Sequence, residues 1–471
     1  MRREFWKKYT PSELDEMAEL SKDSGLVGIC VFTNWFDNVI QITEQLKKTV
    51  RAPIVWGGIH PTIRPEECLD YADIACIGEA ESSLVELAKR IETRQDFRDI
   101  KNMCFKDHGK IIRNPLQPLK MDLDSIPFPD YNYEDHFILN KGKLERANLE
   151  LMEKYLGDRY MLMATRGCPY ACTYCAHNTL RSIDKDYARV RKRSPKNLIL
   201  EMVAAKTKLP FARGIKIPDD AFFCYPEKEL REFCVGYREY IHLPLCIRGL
   251  HPAACNRIKL SMLADIGLHS LRMGLQSCSK RTLALYERKV SLEKMIEAVS
   301  MINEFHEQID DVQYDVILDN PWETEADLIE TLMTITKFKP PYTLALFSLT
   351  FFPGTELYQK AKRDGLIKDD LHDVYRKYFL SPKKTYINAL FQLLDIYAHR
   401  RRQISPRLMA MLTSRQGRRW GISYLLYFLL CGEIKSHHIL RLVLKGIRDL
   451  SRGDGTRLAR WWTEKTARFF S

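Results

Sequence analysis

The sequence predicts an α/β protein. An incomplete doubly wound (Rossmann-like) domain precedes a partial TIM-like (β/α)6 barrel, and a basic helical region follows. Apolar runs alternate with helical patterns over residues 160–370, which is typical of a parallel sheet. A shorter series of the same kind occupies residues 1–119, and we expect residues 120–159 to be a linker. The third observation is an excess of positive charge within residues 371–471.

Six apolar runs in the central region predict the barrel strands, and patterns at 195–206, 291–305 and 324–336 predict helices between them. The predicted strands are 160–165, 214–218, 245–248, 270–275, 314–318 and 343–349. Ligands of such barrels bind at the carboxyl ends of the strands. We therefore expect the functional residues to lie just after these runs.

The N-terminal region carries three predicted strands, at 26–32, 53–56 and 74–77, with helices at 39–49 and 82–91. Glycines follow the second and third of these strands. In a doubly wound sheet, ligands lie at that edge. This region is therefore a second candidate for ligand binding.

Local signals at the borders of this region predict three further elements. Thr10 and Glu13 have the spacing of a capping box, which predicts the start of a helix. Residues 103–114 predict a hairpin, because turn residues separate two apolar runs. The prolines of residues 121–131 disfavour a helix and predict an extended segment.

Cys168, Cys172 and Cys175 form a C-x3-C-x2-C motif after the first predicted barrel strand, with Tyr174 just before the third cysteine. Three thiolates on one loop can bind three irons of a [4Fe–4S] cluster and leave the fourth iron open for chemistry. Zinc is the alternative, because His177 can complete a Cys3His site. A disulfide is not expected, since no signal-like apolar segment is present and cytoplasmic thiols stay reduced. On spacing alone, cluster and zinc both remain open.

The loop and the strand ends after it resemble the radical S-adenosylmethionine (SAM) superfamily over residues 160–370. Residues 273–277 are similar to its "G-x-E-S" signature, with Gln276 in the place of the usual Glu. Residues 314–324 are similar to its "G-x-P-x-E-T" segment, although 319–322 replace the glycine-rich text. Residues 352–355 are similar to its "P-G-T" turn.

This resemblance implies a [4Fe–4S] cluster on Cys168, Cys172 and Cys175, whose open iron binds SAM. One electron, from a donor such as flavodoxin or ferredoxin, then cleaves SAM to a 5′-deoxyadenosyl radical. The resemblance assigns no general base. The residues that it implies for SAM binding are Tyr174, Asp219, Asp220, Arg248, Gln276 and Ser277.

The N-terminal region resembles the cobalamin-binding domain that is often fused to such barrels. The similar motifs are "V-G-I-S" at 27–30, "G-G-x-H-x-T-x-x-P-E" at 57–66 and "I-G-E-G-E" at 77–81. The usual first strand–helix–strand unit has no counterpart, so we expect a domain truncated at its start. The residues implied for cobalamin are Thr33, Gly57, Gly58, His60, Gly78 and Glu79.

Together the two resemblances imply a radical SAM enzyme that performs a cobalamin-dependent methyl transfer to an unactivated carbon or phosphorus centre. The alternative within enzymes is a radical rearrangement or an oxidative cyclisation without methyl transfer. The alternative outside enzymes is a degenerate module that binds SAM or cobalamin. The intact cysteine motif disfavours this last reading.

The C-terminal region carries the whole charge excess, with 16 Lys and Arg against 4 Asp and Glu from Arg400 onward, equal to the chain's net +12. Its apolar run at 420–431 is too short to span a bilayer. We expect a cytoplasmic protein that either contacts a membrane surface here or uses the region as a helical cap. A small-molecule or lipid-like substrate is expected, and a nucleic-acid partner is not, since no such module is recognisable.

Overall fold

A computed structural model describes residues 7–415 of the chain. The described residues divide into two compact units, each of which draws on several stretches of the sequence. Among the described residues, the first unit contains 7–271, 285–288 and 350–379, and the second contains 272–284, 289–349 and 380–415. The predicted apolar run at 420–431 and the part of the predicted basic region that follows residue 415 lie outside the described residues.

The N-terminal part of the first unit is a five-stranded sheet with helices between its strands. Its elements are α1 (Pro11–Ser21), β1 (Val27–Cys30), α2 (Phe36–Thr49), β2 (Ile54–Gly57), α3 (Ile59–Ile63), α4 (Pro65–Cys68), β3 (Ile74–Cys76), α5 (Glu81–Glu92), β4 (Met103–Asp107) and β5 (Lys110–Arg113). The strands follow one another in chain order. The pairs from β1 to β3 are parallel, and those from β3 to β5 are antiparallel.

This sheet confirms the strands and the hairpin predicted for the N-terminal region. The predicted capping box opens α1, where the hydroxyl of Thr10 accepts the Glu13 N–H and the Glu13 carboxylate accepts the Thr10 N–H. The core of the sheet is apolar, with Val55, Leu87 and Met103 all buried. Burial of one apolar face is the main source of stability for such a sheet.

The region predicted as a linker contains regular structure. Residues 121–131 are extended apart from one helical turn, as predicted. Beyond them lie β6 (Phe137–Asn140), β7 (Lys143–Arg146) and α6 (Leu149–Leu156). Lys141 and Gly142 both have positive φ, which matches the two-residue turn that joins antiparallel strands. A glycine in this tight turn is the local signal that the prediction overlooked.

The barrel region follows with strands and helices in alternation. Its elements are β8 (Arg159–Met161), β9 (Thr165–Arg166), α7 (Ala176–Ile183), β10 (Arg191–Lys192), α8 (Pro195–Lys208), β11 (Gly214–Ile217), α9 (Glu227–Gly236), β12 (Leu245–Leu250), α10 (Arg257–Ala264), β13 (Leu268–Gln276), α11 (Lys280–Leu285), α12 (Leu292–Asn303), β14 (Asp311–Leu318), α13 (Glu325–Ile335), β15 (Thr343–Ser348), α14 (Glu356–Arg363), α15 (Tyr386–His399) and α16 (Pro406–Thr413).

Six of these strands form one sheet in the order β15-β14-β13-β12-β11-β8. In the first unit, β8, β11 and β12 pair in parallel, and in the second unit β14 and β15 do the same. The sheet confirms the predicted parallel architecture of six strand–helix units. Within residues 7–415, no helix has the length and apolar character needed to cross a bilayer.

The first barrel strand differs from the prediction of a continuous run over 160–165. It ends at Met161, and Thr165–Arg166 pairs instead with Arg191–Lys192 in a separate two-stranded antiparallel sheet. The cause is the carboxylate of Asp219, which accepts the N–H groups of Ala164 and Thr165 and so removes them from the strand ladder.

Candidate functional site

The cysteine loop lies between β9 and α7 in the first unit, with Cys168 and Cys172 buried and Cys175 half-buried. Gly167 starts the loop with φ +89°, and a Cβ there would lie 2.2 Å from the carbonyl oxygen of Arg189. Only glycine fits this turn, because any side chain would meet the backbone of the neighbouring segment. The loop therefore leaves β9 through a backbone conformation that a residue with a side chain cannot adopt at position 167.

The thiols of this loop can bind a metal once they lose their protons. Burial raises the pKa of Cys168 and of Cys175 to about 12, so iron binding has to displace protons from both. A cubane uses one thiolate per iron, so three cysteines on one loop can hold three of its irons. Among the described residues, no three His, Cys, Asp or Glu side chains are grouped around a single point.

Asp219 and Asp220, both predicted to face SAM, have different surroundings. The Asp219 side chain is fully buried and accepts the N–H of Ala164 at 2.9 Å and of Thr165 at 2.5 Å. Burial raises the pKa of Asp219 to about 7, although these hydrogen bonds lower it. Asp219 therefore anchors the chain that leads into the cysteine loop rather than presenting a carboxylate to a ligand.

Asp220 is the exposed member of the pair, and it accepts a hydrogen bond from His177 Nε2 at 2.7 Å. His177 lies in the first turn of α7, two residues after Cys175. Asp220 is therefore the acidic side chain at this strand end that can reach a ligand of the loop. Its role in SAM binding stays a prediction.

Arg248 lies half-buried within β12, next to Gly249. Gly249 has φ +77°, and a Cβ there would lie 2.2 Å from the backbone oxygen of Asp219. The chain after β11 and the end of β12 therefore pack backbone against backbone. This contact helps to hold Asp219 in place under the cysteine loop.

Tyr174, another of the predicted SAM residues, lies half-buried beside two residues that the sequence reasoning missed. Its ring packs edge-on against Tyr286 with 4.9 Å between centroids, and its hydroxyl lies 3.2 Å from Arg288 Nη1. Arg288 also lies 3.8 Å from the Cys172 sulfur. No local motif marks Tyr286 or Arg288, because they reach the loop from more than a hundred residues away in sequence.

Gln276 and Ser277, the remaining predicted SAM residues, belong to the second unit. Gln276 ends β13 with φ +69°, a conformation that is uncommon for a residue other than glycine. Ser277 is buried, and its hydroxyl lies 3.0 Å from that of Thr331 and 3.4 Å from Glu323. Burial raises the pKa of Glu323 to about 7. Ser277 is thus already engaged within its own unit.

Glycines mark the ends of β2 and β3, as predicted for a cobalamin-binding edge. We call this part of the sheet, with Gly57, Gly58 and Gly78, the glycine edge. Gly58 has φ +99°, and a Cβ there would lie 3.1 Å from both the Cys30 sulfur and the Val31 oxygen. Two large aromatic side chains after β1, Phe32 and Trp35, are about half exposed, at 56% and 50%. Bare backbone at a strand end and exposed aromatic rings are both features that the flat corrin ring of cobalamin can pack against. Sequence reasoning missed both aromatic residues.

His60 and Thr33 support this edge from within. His60 is fully buried, its Nδ1 lies 3.2 Å from the Thr33 hydroxyl, and its ring packs against Phe36 and Tyr375. Burial lowers the pKa of His60 to about 3, so the imidazole is neutral. The His60 ring therefore holds the loop in shape and presents no surface to a ligand.

Gly78 and Glu79 connect this edge to the cysteine loop. Arg191, whose side chain is 1% exposed, donates to both carboxylate oxygens of Glu79 at 2.9 and 2.6 Å. Arg166 lies 3.4 Å from Glu79 and donates to Glu81 at 2.5 Å. Since Arg166 immediately precedes the loop, this ion-pair network joins the glycine edge to the base of the cysteine loop. Glu79 is thus engaged by arginines of the barrel region.

Comparisons with known proteins identify both predicted domains. The sequence profile of the Radical SAM superfamily matches residues 162–335, and that of the B12 binding domain matches residues 10–88. An uncharacterized methyltransferase of Pyrococcus horikoshii is 26% identical over 360 residues, covering 73% of this chain and 71% of the relative.

Two more proteins extend the similarity. Bacteriochlorophyllide d C-8(2)-methyltransferase of Chlorobaculum tepidum is 22% identical over 399 residues, covering 79% of this chain and 76% of the relative. The structure of TsrM from Kitasatospora setae, a radical SAM methyltransferase with tryptophan and a SAM analogue bound, superposes with a TM-score of 0.60. It is 17% identical, and the match covers 75% of this chain and 68% of that one.

The match over residues 162–335, together with the cysteine loop, thus defines a radical SAM domain. With its B12 binding domain at residues 10–88, the chain combines the two domain types that use a [4Fe–4S] cluster, SAM and cobalamin as cofactors. The predicted class and cofactors are thereby confirmed. The roles of the individual site residues remain predictions.

Proposed function

We propose that this enzyme transfers a methyl group from SAM, by way of cobalamin, to an unactivated carbon or phosphorus centre of a small organic substrate. The observation that carries the proposal is the ion-pair network between Glu79, Glu81, Arg166 and Arg191. It ties the glycine edge to the cysteine loop within one compact unit. Methyl transfer through two cofactors requires that both reach one substrate, and a fixed link between their sites meets this need.

The roles of the side chains follow from their positions. Cys168, Cys172 and Cys175 hold the cluster, while Asp220 and Tyr174 contact SAM beside it. The glycine edge receives cobalamin. When bound, these cofactors supply a 5′-deoxyadenosyl radical and a transferable methyl group, so the protein has to orient them and exclude water.

The partners in this proposal are a small substrate and an electron donor. Tryptophan is the molecule bound in the TsrM structure, and the relative from Chlorobaculum tepidum is named for bacteriochlorophyllide d. Both support a small organic molecule as the substrate class. A low-potential donor such as flavodoxin or ferredoxin supplies the electron. A lipid-like substrate and contact with a membrane surface rest on the basic region after residue 415, outside the described residues.

Anaerobic reconstitution with iron, sulfide and cobalamin tests the proposal. We expect bound cobalamin and, with SAM, reductant and substrate, both S-adenosylhomocysteine and 5′-deoxyadenosine. Cys172→Ala removes one cluster ligand, so we expect loss of the cluster absorbance and of both products. Cys234→Ala is the matched control, because Cys234 is buried in α9 and bonds only the Met262 carbonyl oxygen among the contacts described.

The products separate methyl transfer from its alternatives. Deoxyadenosine without S-adenosylhomocysteine favours a rearrangement or an oxidative cyclisation over methyl transfer. A Cys172→Ala variant that keeps its cluster and both products contradicts the assignment of the cysteine loop.

A further inference from the structure

The segment 285–288 is fastened to the cysteine loop. The Thr173 N–H donates to the Tyr286 carbonyl oxygen at 3.1 Å, and the Thr173 hydroxyl donates to the Leu285 carbonyl oxygen at 2.8 Å. Thr173 lies directly between Cys172, a predicted cluster ligand, and Tyr174, a predicted SAM-binding residue. The segment is thus held at the centre of the loop by backbone as well as side-chain contacts.

The backbone turns sharply just before Arg288. Glu287 has φ +47°, in the left-handed region that costs a residue with a side chain about 1–2 kcal/mol. Tyr286 is fully buried against Tyr174, which fixes the chain on the other side of the turn. A strained residue that follows an anchored neighbour indicates that tertiary contacts impose this turn and so set the direction in which the chain continues to Arg288.

The turn places the Arg288 guanidinium against a cluster ligand. Its Nη1 lies 3.8 Å from the Cys172 sulfur and 3.2 Å from the Tyr174 hydroxyl, and the residue is only 7% exposed. An arginine stays protonated in proteins, so a full positive charge lies beside this sulfur. Poor access for water leaves that charge weakly screened.

We propose that Arg288 raises the reduction potential of the cluster by hydrogen bonding to the Cys172 sulfur and placing a positive charge beside it. Reduction adds one electron, from an external donor, and takes the cluster from the 2+ to the 1+ state. The added negative charge is stabilised by a nearby cation, since potentials depend on charge, hydrogen bonds to sulfur and exposure. The inference rests on Cys172 as a cluster ligand but does not depend on methyl transfer.

The test is a potentiometric titration of the anaerobically reconstituted full chain, with dithionite as reductant and EPR detection of the reduced cluster. We expect Arg288→Gln to lower the equilibrium constant for reduction at least tenfold, which for one electron is a midpoint about 59 mV more negative. Arg181→Gln is the matched control. Arg181 is half-buried, and it donates to the Pro169 carbonyl oxygen of the same loop through a solvent-exposed hydrogen bond. Its removal changes the charge equally without touching a sulfur, so its midpoint should stay at the wild-type value.

An Arg288→Gln protein with a full cluster and a wild-type midpoint overturns the inference, as does an equal shift in Arg181→Gln. If Arg288→Gln does not assemble a cluster, Arg288→Met is titrated instead. Methionine removes both the charge and the hydrogen bond to the Cys172 sulfur while it fills much of the buried space, so its midpoint should also be lower than wild type, and an unchanged value overturns the inference. Failure of Cys172 as a ligand is distinguishable, because it leaves Cys172→Ala with a cluster.

Discussion

Asp219→Asn should abolish a pH dependence of stability that this one carboxyl confers. Burial raises the pKa of Asp219 from 3.8 to about 7, so between these values the folded chain holds a proton that the unfolded chain has released. The free energy of unfolding then falls as pH rises, by about 1.36 kcal/mol per pH unit and about 4 kcal/mol in total. An amide does not titrate, so the variant loses this component. Between about pH 5 and about pH 8, urea unfolding of the cluster-free proteins should show a free energy of unfolding that falls by about 3 kcal/mol more in the wild type than in Asp219→Asn.

Asp220→Asn is the control for this measurement, because Asp220 is the adjacent carboxyl and its side chain is 57% exposed. It should retain most of the wild-type pH dependence, because burial, and not the Asp220 charge, is the main cause of the raised pKa of Asp219. A slope in Asp219→Asn equal to that of the wild type would refute the reasoning, since it would mean that the burial of Asp219 does not control its ionisation. A steeper loss of stability with rising pH in the variant would refute it equally.

Two further predictions concern the frame around the cysteine loop. Gly249→Ala should lower the free energy of unfolding by about 2–5 kcal/mol, because it adds left-handed strain and a Cβ that overlaps the Asp219 backbone oxygen; thermal unfolding and the iron content after reconstitution report it. Arg191→Met should cost about 3–5 kcal/mol, because it leaves the Glu79 carboxylate without its buried partner; urea unfolding measures this loss.

Each of these predictions has a matched control. Gly109→Ala carries similar strain, with φ +79°, but its Cβ would meet nothing within 4 Å, so its cost should be confined to about 1–2 kcal/mol. Arg189→Met removes an arginine whose side chain is 65% exposed and lies 3.8 Å from Asp186, so its cost should stay below about 1 kcal/mol. Controls as costly as the test variants would contradict the geometric argument.

The fold was predictable where periodicity and turn chemistry act locally. The strands of the N-terminal sheet and the capping box at Thr10 depend on residues only a few positions apart, and the structure contains them. The break after Met161 was not predictable. It depends on the Asp219 carboxylate, which lies more than fifty residues further along the chain and competes for backbone N–H groups that a strand would use.

The residues of the candidate site were likewise predictable where a local motif marks them and not where tertiary contacts place them. A short motif on one loop identified Cys168, Cys172 and Cys175. Arg288 has no motif of its own, because its role arises from a turn that tertiary contacts impose. The sequence also could not predict which of two neighbouring carboxylates is buried. In the structure Asp219 points inward and Asp220 points outward.

The ion pair between Glu79 and Arg191 restricts how substrate can enter and product can leave. Opening a passage by separating the glycine edge from the cysteine loop would expose this pair and break its two short hydrogen bonds on every turnover. That route is energetically unfavourable. We therefore expect substrate and product to use a path that leaves this junction closed, and residues that gate the path should be sought away from Glu79 and Arg191.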